Sequence, residues 1–262
     1  MTSVDDLSKN LKTILDAVAI AEKNQKNDLI CLPENCLYMR VKEGEKVKGL
    51  SIDSPEIKSL FELSKELNVS LHLGSLPLLE GENIYNSSLL ITPESTKVSY
   101  KKIHLFDIQI TGEKAVRESD VFKAGKKPEI FDYAGWKFGQ SICYDLRFAE
   151  LYSHYAKEKV DVILIPSAFL VTTGQAHWEI LLRARAIESQ CYVLAAAQAG
   201  KHYGVHGGER ATFGHSLVID PWGRILHGGS GDHSEVISFS IGKELLHQVR
   251  TQIPMSDHRK LL

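Results

Sequence analysis

Three residues of this chain are placed to do chemistry: a thiol at a strand-to-helix corner, a glutamate just past a proline-terminated strand, and a lysine closing another strand. Cys143, in Ser141-Ile142-Cys143-Tyr144-Asp145-Leu146-Arg147-Phe148, stands where the apolar run 136–142 gives way to helical spacing. A corner of that kind holds a nucleophile rigidly and leaves it exposed, as covalent catalysis requires. Glu34 follows Leu32-Pro33, and Lys102 follows Tyr100-Lys101. Singly, each has an ordinary explanation: a strand cysteine packs, a glutamate after proline is solvated, and paired lysines protect a sheet edge. Only the three together carry a functional reading.

The elements that must position them follow from periodicity. Leu7, Leu11, Ile14, Leu15 and Val18 recur at helical spacing, with Ser3 as N-cap and Asp6 completing a capping box, which predicts a first helix to about Lys26. The run 28–32 predicts a buried strand that Pro33 stops, delivering Glu34 to its carboxyl end, where ligands gather in open α/β sheets. Ser54-Pro55-Glu56 opens a second helix with Ile57, Leu60, Phe61 and Leu67 on its buried face. Strands are expected at 69–74, 84–92 and 97–101, and 107–127 is expected to be a long functional loop or short helix over a site. A strand pair at 129–133 and 136–142 turns at Ala134-Gly135, and Cys143 then leads into a helix ending near Lys159. Further strands are expected at 161–166, 191–198, 214–220 and 235–240, with helices over 175–189 and from Lys243. Two rounds of helix and strand without a linker predict one α/β domain over 1–262, an α-β-β-α sandwich.

Composition narrows the partners. Lys and Arg number 31 against 33 Asp and Glu, with no basic block, so neither nucleic acid nor an anionic membrane is expected, and a small neutral or acidic metabolite fits better. The N-terminus lacks a signal-peptide pattern and no run is long enough to span a bilayer, which predicts a cytoplasmic protein. Four cysteines are too few for a disulfide scaffold; Cys31 and Cys191 lie within apolar strands and Cys36 has no assigned role. His177, His202, His206 and His215 fit no standard zinc spacing, and the Gly-rich stretch 204–210 reads as a mobile loop, so no metal is assigned. His206-Gly207-Gly208 has the look of an esterase oxyanion loop, but no G-x-S-x-G accompanies it. Arg147 and Glu150, one helical turn apart, are expected to form a structural ion pair.

The ordered set Leu32-Pro33-Glu34, Tyr100-Lys101-Lys102-Ile103-His104-Leu105 and Cys143-Tyr144-Asp145-Leu146-Arg147-Phe148 resembles the nitrilase-like carbon–nitrogen hydrolases. Pro166-Ser167-Ala168-Phe169, His177-Trp178-Glu179, Arg183-Ala184-Arg185-Ala186-Ile187-Glu188, Gly214-His215-Ser216 and Asp220-Pro221-Trp222-Gly223 extend the resemblance over nearly the whole chain. It implies a Glu-Lys-Cys triad without cofactor. Glu34 would be the general base that a thiol needs at neutral pH, and Lys102 with the backbone N–H of Tyr144 would stabilise the oxyanion. A second glutamate helps orient substrate and lysine in the family, and Glu118 is its positional match.

Nitrile hydrolysers of the family carry tryptophan and glutamate after the nucleophile; Tyr144-Asp145 instead favours an amide substrate. The run 183–198 is most similar to the deaminated-glutathione amidase branch, with omega-amidases acting on 2-oxoglutaramate or 2-oxosuccinamate as the alternative. Either substrate brings a carboxylate. A non-catalytic binding or assembly protein that keeps the fold is the alternative of another class. The resemblance also implies a homodimer or larger homo-oligomer. One departure stands out: family members have a strand running into the residues that here are Thr2 and Ser3, and its omission beside the Glu34 strand is expected to leave unpaired backbone in the sheet.

Overall fold

The structure is a computed structural model, and residues 1–42, 44–109 and 115–260 are described. Helix α1 (Leu7–Asn24) is capped by Asp6, whose side chain accepts from the backbone N–H of Lys9 at 3.0 Å. Ser3 is therefore not the cap. It is buried, its N–H donates to Gln198 Oε1 and its hydroxyl to the Cys36 carbonyl, so the residue abutting the helix caps it instead. Strand β1 (Leu29–Cys31) leads to Pro33, and α2 (Pro55–Leu67) follows with Pro55 at its first turn. β2 (Ser70–Glu80), β3 (Asn83–Thr92) and β4 (Ser95–Lys101) form a meander, giving a four-stranded sheet of order β1-β2-β3-β4 with β1 parallel to β2.

The expected loop 107–127 holds a short ladder, β5 (Asp107–Ile108) with β6 (Val116–Arg117), and a 3-10 turn over Glu118–Asp120; residues 110–114 lie outside the described residues. The second half contains β7 (Ile130–Tyr133), β8 (Trp136–Gln140), a 3-10 turn at Cys143–Arg147, α3 (Ala149–Lys157), β9 (Val162–Leu164), α4 (Val171–Ser189) and β10 (Tyr192–Ala195). Of the glycine-rich stretch 204–210, read as a loop, only 204–208 is one; Glu209 and Arg210 already pair with Tyr203 and His202, so the stretch joins β11 (Ala199–Tyr203) to β12 (Glu209–Phe213) in an antiparallel hairpin. β13 (Leu217–Ile219) and β14 (Ile225–Gly228) complete a six-stranded sheet of order β14-β13-β10-β9-β8-β7, and α5 (Lys243–Gln252) and α6 (Met255–His258) close the chain.

Alternation along the strands builds three hydrophobic layers. In β9, Val162 and Leu164 face one core while Ile163 faces another; in β10, Tyr192 and Leu194 divide from Val193 and Ala195 in the same way. One core joins α1 and α2 to the four-stranded sheet, one joins α3 and α4 to the six-stranded sheet, and the third lies between the sheets, where Leu90 meets Phe131, Phe138 and Val162. The result is the expected α-β-β-α sandwich.

The segment 235–240, expected as a strand, is not one. It lines a slot of about 1,920 Å³, open mouth included, whose opposite wall is β1 with Met1, Leu32 and Pro33. β1 is the edge of its sheet, so the slot separates it from an apolar segment that pairs with no strand among the described residues. A strand needs a neighbouring strand's N–H and C=O groups, and 235–240 pairs with none among the described residues.

Candidate active site

The two sheets bring the predicted strand ends together. Gly74 on β2 makes this possible: a Cβ there would stand 2.0 Å from the Leu32 carbonyl oxygen and 2.4 Å from Pro166 Cβ. The Glu34 strand end and the segment beside the nucleophile thus approach across a position only glycine can fill. Cys143 takes φ +50, and its N–H donates to the Pro166 carbonyl at 2.9 Å, so the corner is fixed from the next strand end.

Asp145, fully buried, locks that corner to the Lys102 loop. Its Oδ2 accepts from Ile142 N–H (2.9 Å) and Tyr100 O–H (2.8 Å), while its Oδ1 accepts from the His104 backbone N–H (2.9 Å) and lies 2.7 Å from His104 Nδ1. The Lys-Ile-His and Cys-Tyr-Asp motifs are therefore two halves of one clamp. Arg185 supports the far end, its guanidinium donating twice to the Leu146 carbonyl at 3.1 and 2.9 Å. Gln198 donates to the Glu34 carbonyl at 2.8 Å, tying the glutamate's backbone to the second sheet.

Glu34, Lys102, Glu118, Cys143 and Tyr144 line one cleft. Lys102 Nζ lies 2.9 Å from Glu34 Oε1 and 2.9 Å from Glu118 Oε2, and the Phe106 N–H donates to Glu118 Oε2 at 2.7 Å. Lys102 is 2% exposed and Glu34 3% exposed, so the pair is screened little by water. Burial alone would lower the Lys102 pKa, but Glu118 and Glu34 outweigh it and hold the ammonium well above its ordinary range. Burial, then the Glu34 charge, pushes the Cys143 thiol up, with Lys102 opposing. A neutral resting thiol beside a carboxylate and an ammonium can be deprotonated on demand and its oxyanion product can be met by a fixed cation.

Sequence reasoning missed several groups here. Asn86, in mid-strand, donates to Glu34 Oε1 (3.1 Å) and Glu118 Oε1 (2.9 Å). Arg40, Arg147 and Arg210 line the same cleft with Tyr38 and Thr173. Among the described residues Arg147 forms no ion pair with Glu150, a correction to the expected helical pairing. Its guanidinium lies over the Phe169 ring at 5.5 Å and 3.2 Å from His177 Nδ1, because the short 3-10 turn between Cys143 and α3 aims it into the cleft. The histidines are dispersed. His202 is buried between the Ser3 carbonyl and Thr212, and His215 contacts the Phe213 carbonyl. Asp5, Glu45 and His206 bring potential ligand atoms within 4.8 Å of one another, but the Asp5 carboxylate already accepts from Val205 and His206 N–H and serves to anchor the hairpin tip. Cys31, Cys36 and Cys191 are free thiols packed in the three cores; burial pushes Cys31 and Cys36 up to about 12 and Cys191 further.

Similarity to known proteins agrees with this geometry. A deaminated glutathione amidase from Dictyostelium discoideum is 36% identical over 272 residues, covering 100% of this chain and 92% of the relative. Omega-amidase NIT2-B from Xenopus laevis is 36% identical over 262 residues, covering 98% and 90%. The crystal structure of the Caenorhabditis elegans NitFhit protein superimposes with a TM-score of 0.83 at 34% identity, over 99% of this chain and 63% of that one. The model of the carbon–nitrogen hydrolase family matches residues 1–251, and with the sandwich and cleft in place the chain belongs to that family of hydrolases acting on C–N bonds other than peptide bonds.

Proposed function

We propose that the protein is a cysteine-dependent amidase for a small 2-oxo acid amide, with deaminated glutathione as substrate. The observation that carries this is one cleft whose floor holds a thiol, a carboxylate and an ammonium while three arginines stand in its lining. Deaminated glutathione carries a carboxylate on each side of its scissile amide, and guanidinium groups are suited to bind both.

Glu34 takes the Cys143 proton as the sulfur attacks the amide carbon, and the oxyanion forms against Lys102 Nζ and the Tyr144 N–H. Collapse breaks the C–N bond, with Glu34 returning the proton to the departing nitrogen. Water then gives a proton to Glu34 and attacks the thioester, and the second collapse releases the acid and restores the thiol. Glu118 holds Lys102 as a second carboxylate beside Glu34. The omega-amidase reading is supported by the Xenopus relative and differs in its leaving group, ammonia in place of a dipeptide.

Steady-state hydrolysis of deaminated glutathione against 2-oxoglutaramate, with Cys143→Ala as control, decides it. Equal turnover in wild type and Cys143→Ala refutes the mechanism, and preference for 2-oxoglutaramate refutes the substrate alone.

Chain 1–262 is read as one hydrolase domain, supported by the core shared between the sheets. A homodimer is supported by Ile180 and Ile187, 71% and 45% exposed on α4, beside Trp222 at 43%. Light scattering of Ile180→Glu is expected to show half the wild-type mass. Among the described residues no helix is long and apolar enough to cross a membrane, and a cytoplasmic location is supported by four free thiols.

A further inference from the structure

Asn86 sits on β3 at 1% exposure, and both hydrogens of its amide nitrogen are committed, one to Glu34 Oε1 and one to Glu118 Oε1. Lys102 Nζ contacts the same two oxygens, at 2.9 and 3.1 Å. Two carboxylate oxygens and two nitrogens thus form a closed ring, and the Lys102 N–H donates to the Asn86 carbonyl at 2.9 Å, fixing the asparagine backbone to the lysine's own. The reverse amide orientation would set Oδ1 against two carboxylates, so the acceptors determine which way the group faces. That choice leaves Asn86 Oδ1 buried without a hydrogen-bond partner among the described residues. A fold that leaves a buried oxygen unsatisfied to keep two N–H groups on two carboxylates is specifying those N–H groups.

We propose that Asn86 is a positioning residue that occupies Glu34 Oε1 with a neutral donor and so turns the other carboxylate oxygen toward Cys143 as the base. A second cation in its place would hold Glu34 as a carboxylate too firmly to accept the thiol proton, whereas an amide orients without adding charge. The inference rests on the amidase reading for its context, and its test needs no substrate. The charged and titratable groups facing Glu34 are Lys102 beyond β4, Glu118 on its 3-10 turn, Cys143 at the corner and Arg210 on β12. Changing Asn86 removes none of these side chains, although Glu118 loses the hydrogen bond that it accepts from the amide.

The experiment is the rate of Cys143 alkylation by iodoacetamide between pH 5 and 9, located by peptide mass spectrometry, in wild type, Asn86→Ala and Asn86→Ser, each checked for native unfolding. With the amide removed, Glu34 Oε1 loses its neutral donor and the carboxylate is less well aimed at the thiol. The acid limb of the profile is expected to move up by about one pH unit, a roughly fivefold slower reaction at the wild-type midpoint. Profiles that superimpose on wild type in a folded variant overturn the proposal, as does failure of both variants to fold, which would assign Asn86 to the scaffold. A shifted profile in a protein that hydrolyses neither amide would refute the substrate while leaving this inference standing.

Discussion

Replacing Lys102 by methionine probes the charge cluster at the floor of the cleft. Its ammonium is 2% exposed with carboxylate oxygens of Glu34 and Glu118 each at 2.9 Å. At an effective dielectric near 20, one unit pair at that separation gains about 6 kcal/mol, much of it offset by desolvation. Removing one member of a buried pair costs about 3–5 kcal/mol, because the charge left behind is uncompensated, and here two carboxylates are left facing each other. For a domain of this size that lowers Tm by roughly 10 °C. Urea unfolding followed by circular dichroism at pH 7 is the assay. Adding Glu118→Gln to Lys102→Met should recover a large part of the stability but none of the activity, which falls by about 10²–10³-fold with the oxyanion donor gone. A Lys102→Met protein within about 1 kcal/mol of wild type at pH 7, or a double variant no more stable than Lys102→Met, would refute this account of the cluster.

Other outcomes follow from the scaffold. Burial lowers both His72 and His202 to about 4, and His72 Nε2 faces Gln140 Oε1 across the two sheets. The unfolded chain binds protons near the ordinary value of 6.5 and the folded chain does not, so stability is full above that pH and falls toward pH 4. The loss is on the order of 3 kcal/mol per histidine, measurable as a sloping urea midpoint. Gly74→Ala forces a methyl group against the Leu32 carbonyl and Pro166, separating base from nucleophile. It is expected to lower kcat by up to ~100-fold with KM less affected, and an unchanged kcat would show that the sheets can part there without consequence.

The convergence of Glu34, Lys102 and Cys143 on one cleft was legible because each ends a strand marked by punctuation: Pro33 before Glu34, Lys101-Lys102 closing an alternating run, and a break in periodicity at Cys143. Glu118 was legible only through resemblance, since its surroundings lack pattern. Asn86 carried no signal. It lies in Asn86-Ser87-Ser88, a polar stretch in mid-strand, and its role arises from β3 passing beside two distant loops. Ser3 misled because capping chemistry and tertiary hydrogen bonding use the same hydroxyl. The β11–β12 hairpin was hidden by polar residues on strands outside both main sheets, where His202 is buried by pairing with Ser3 and Thr212 and not by an apolar pattern. For 235–240 the apolar spacing was right and the missing neighbour decided otherwise.

The slot beside β1 has a consequence for how molecules of this chain meet one another. An unpaired edge facing an unpaired apolar segment is a template for backbone from a second molecule, and nothing in its lining distinguishes a productive strand from an intruding one. The chain described here should therefore self-associate in a concentration-dependent way that worsens on warming, through a face unrelated to α4. A separate alternating apolar peptide of about six residues, long enough to run the ~20 Å of a typical strand, should suppress that association and raise Tm together when added in excess. Solubility and enzymatic competence would then depend on the same few backbone hydrogen bonds, because any backbone that pairs with the edge of β1 also braces the strand leading to Glu34.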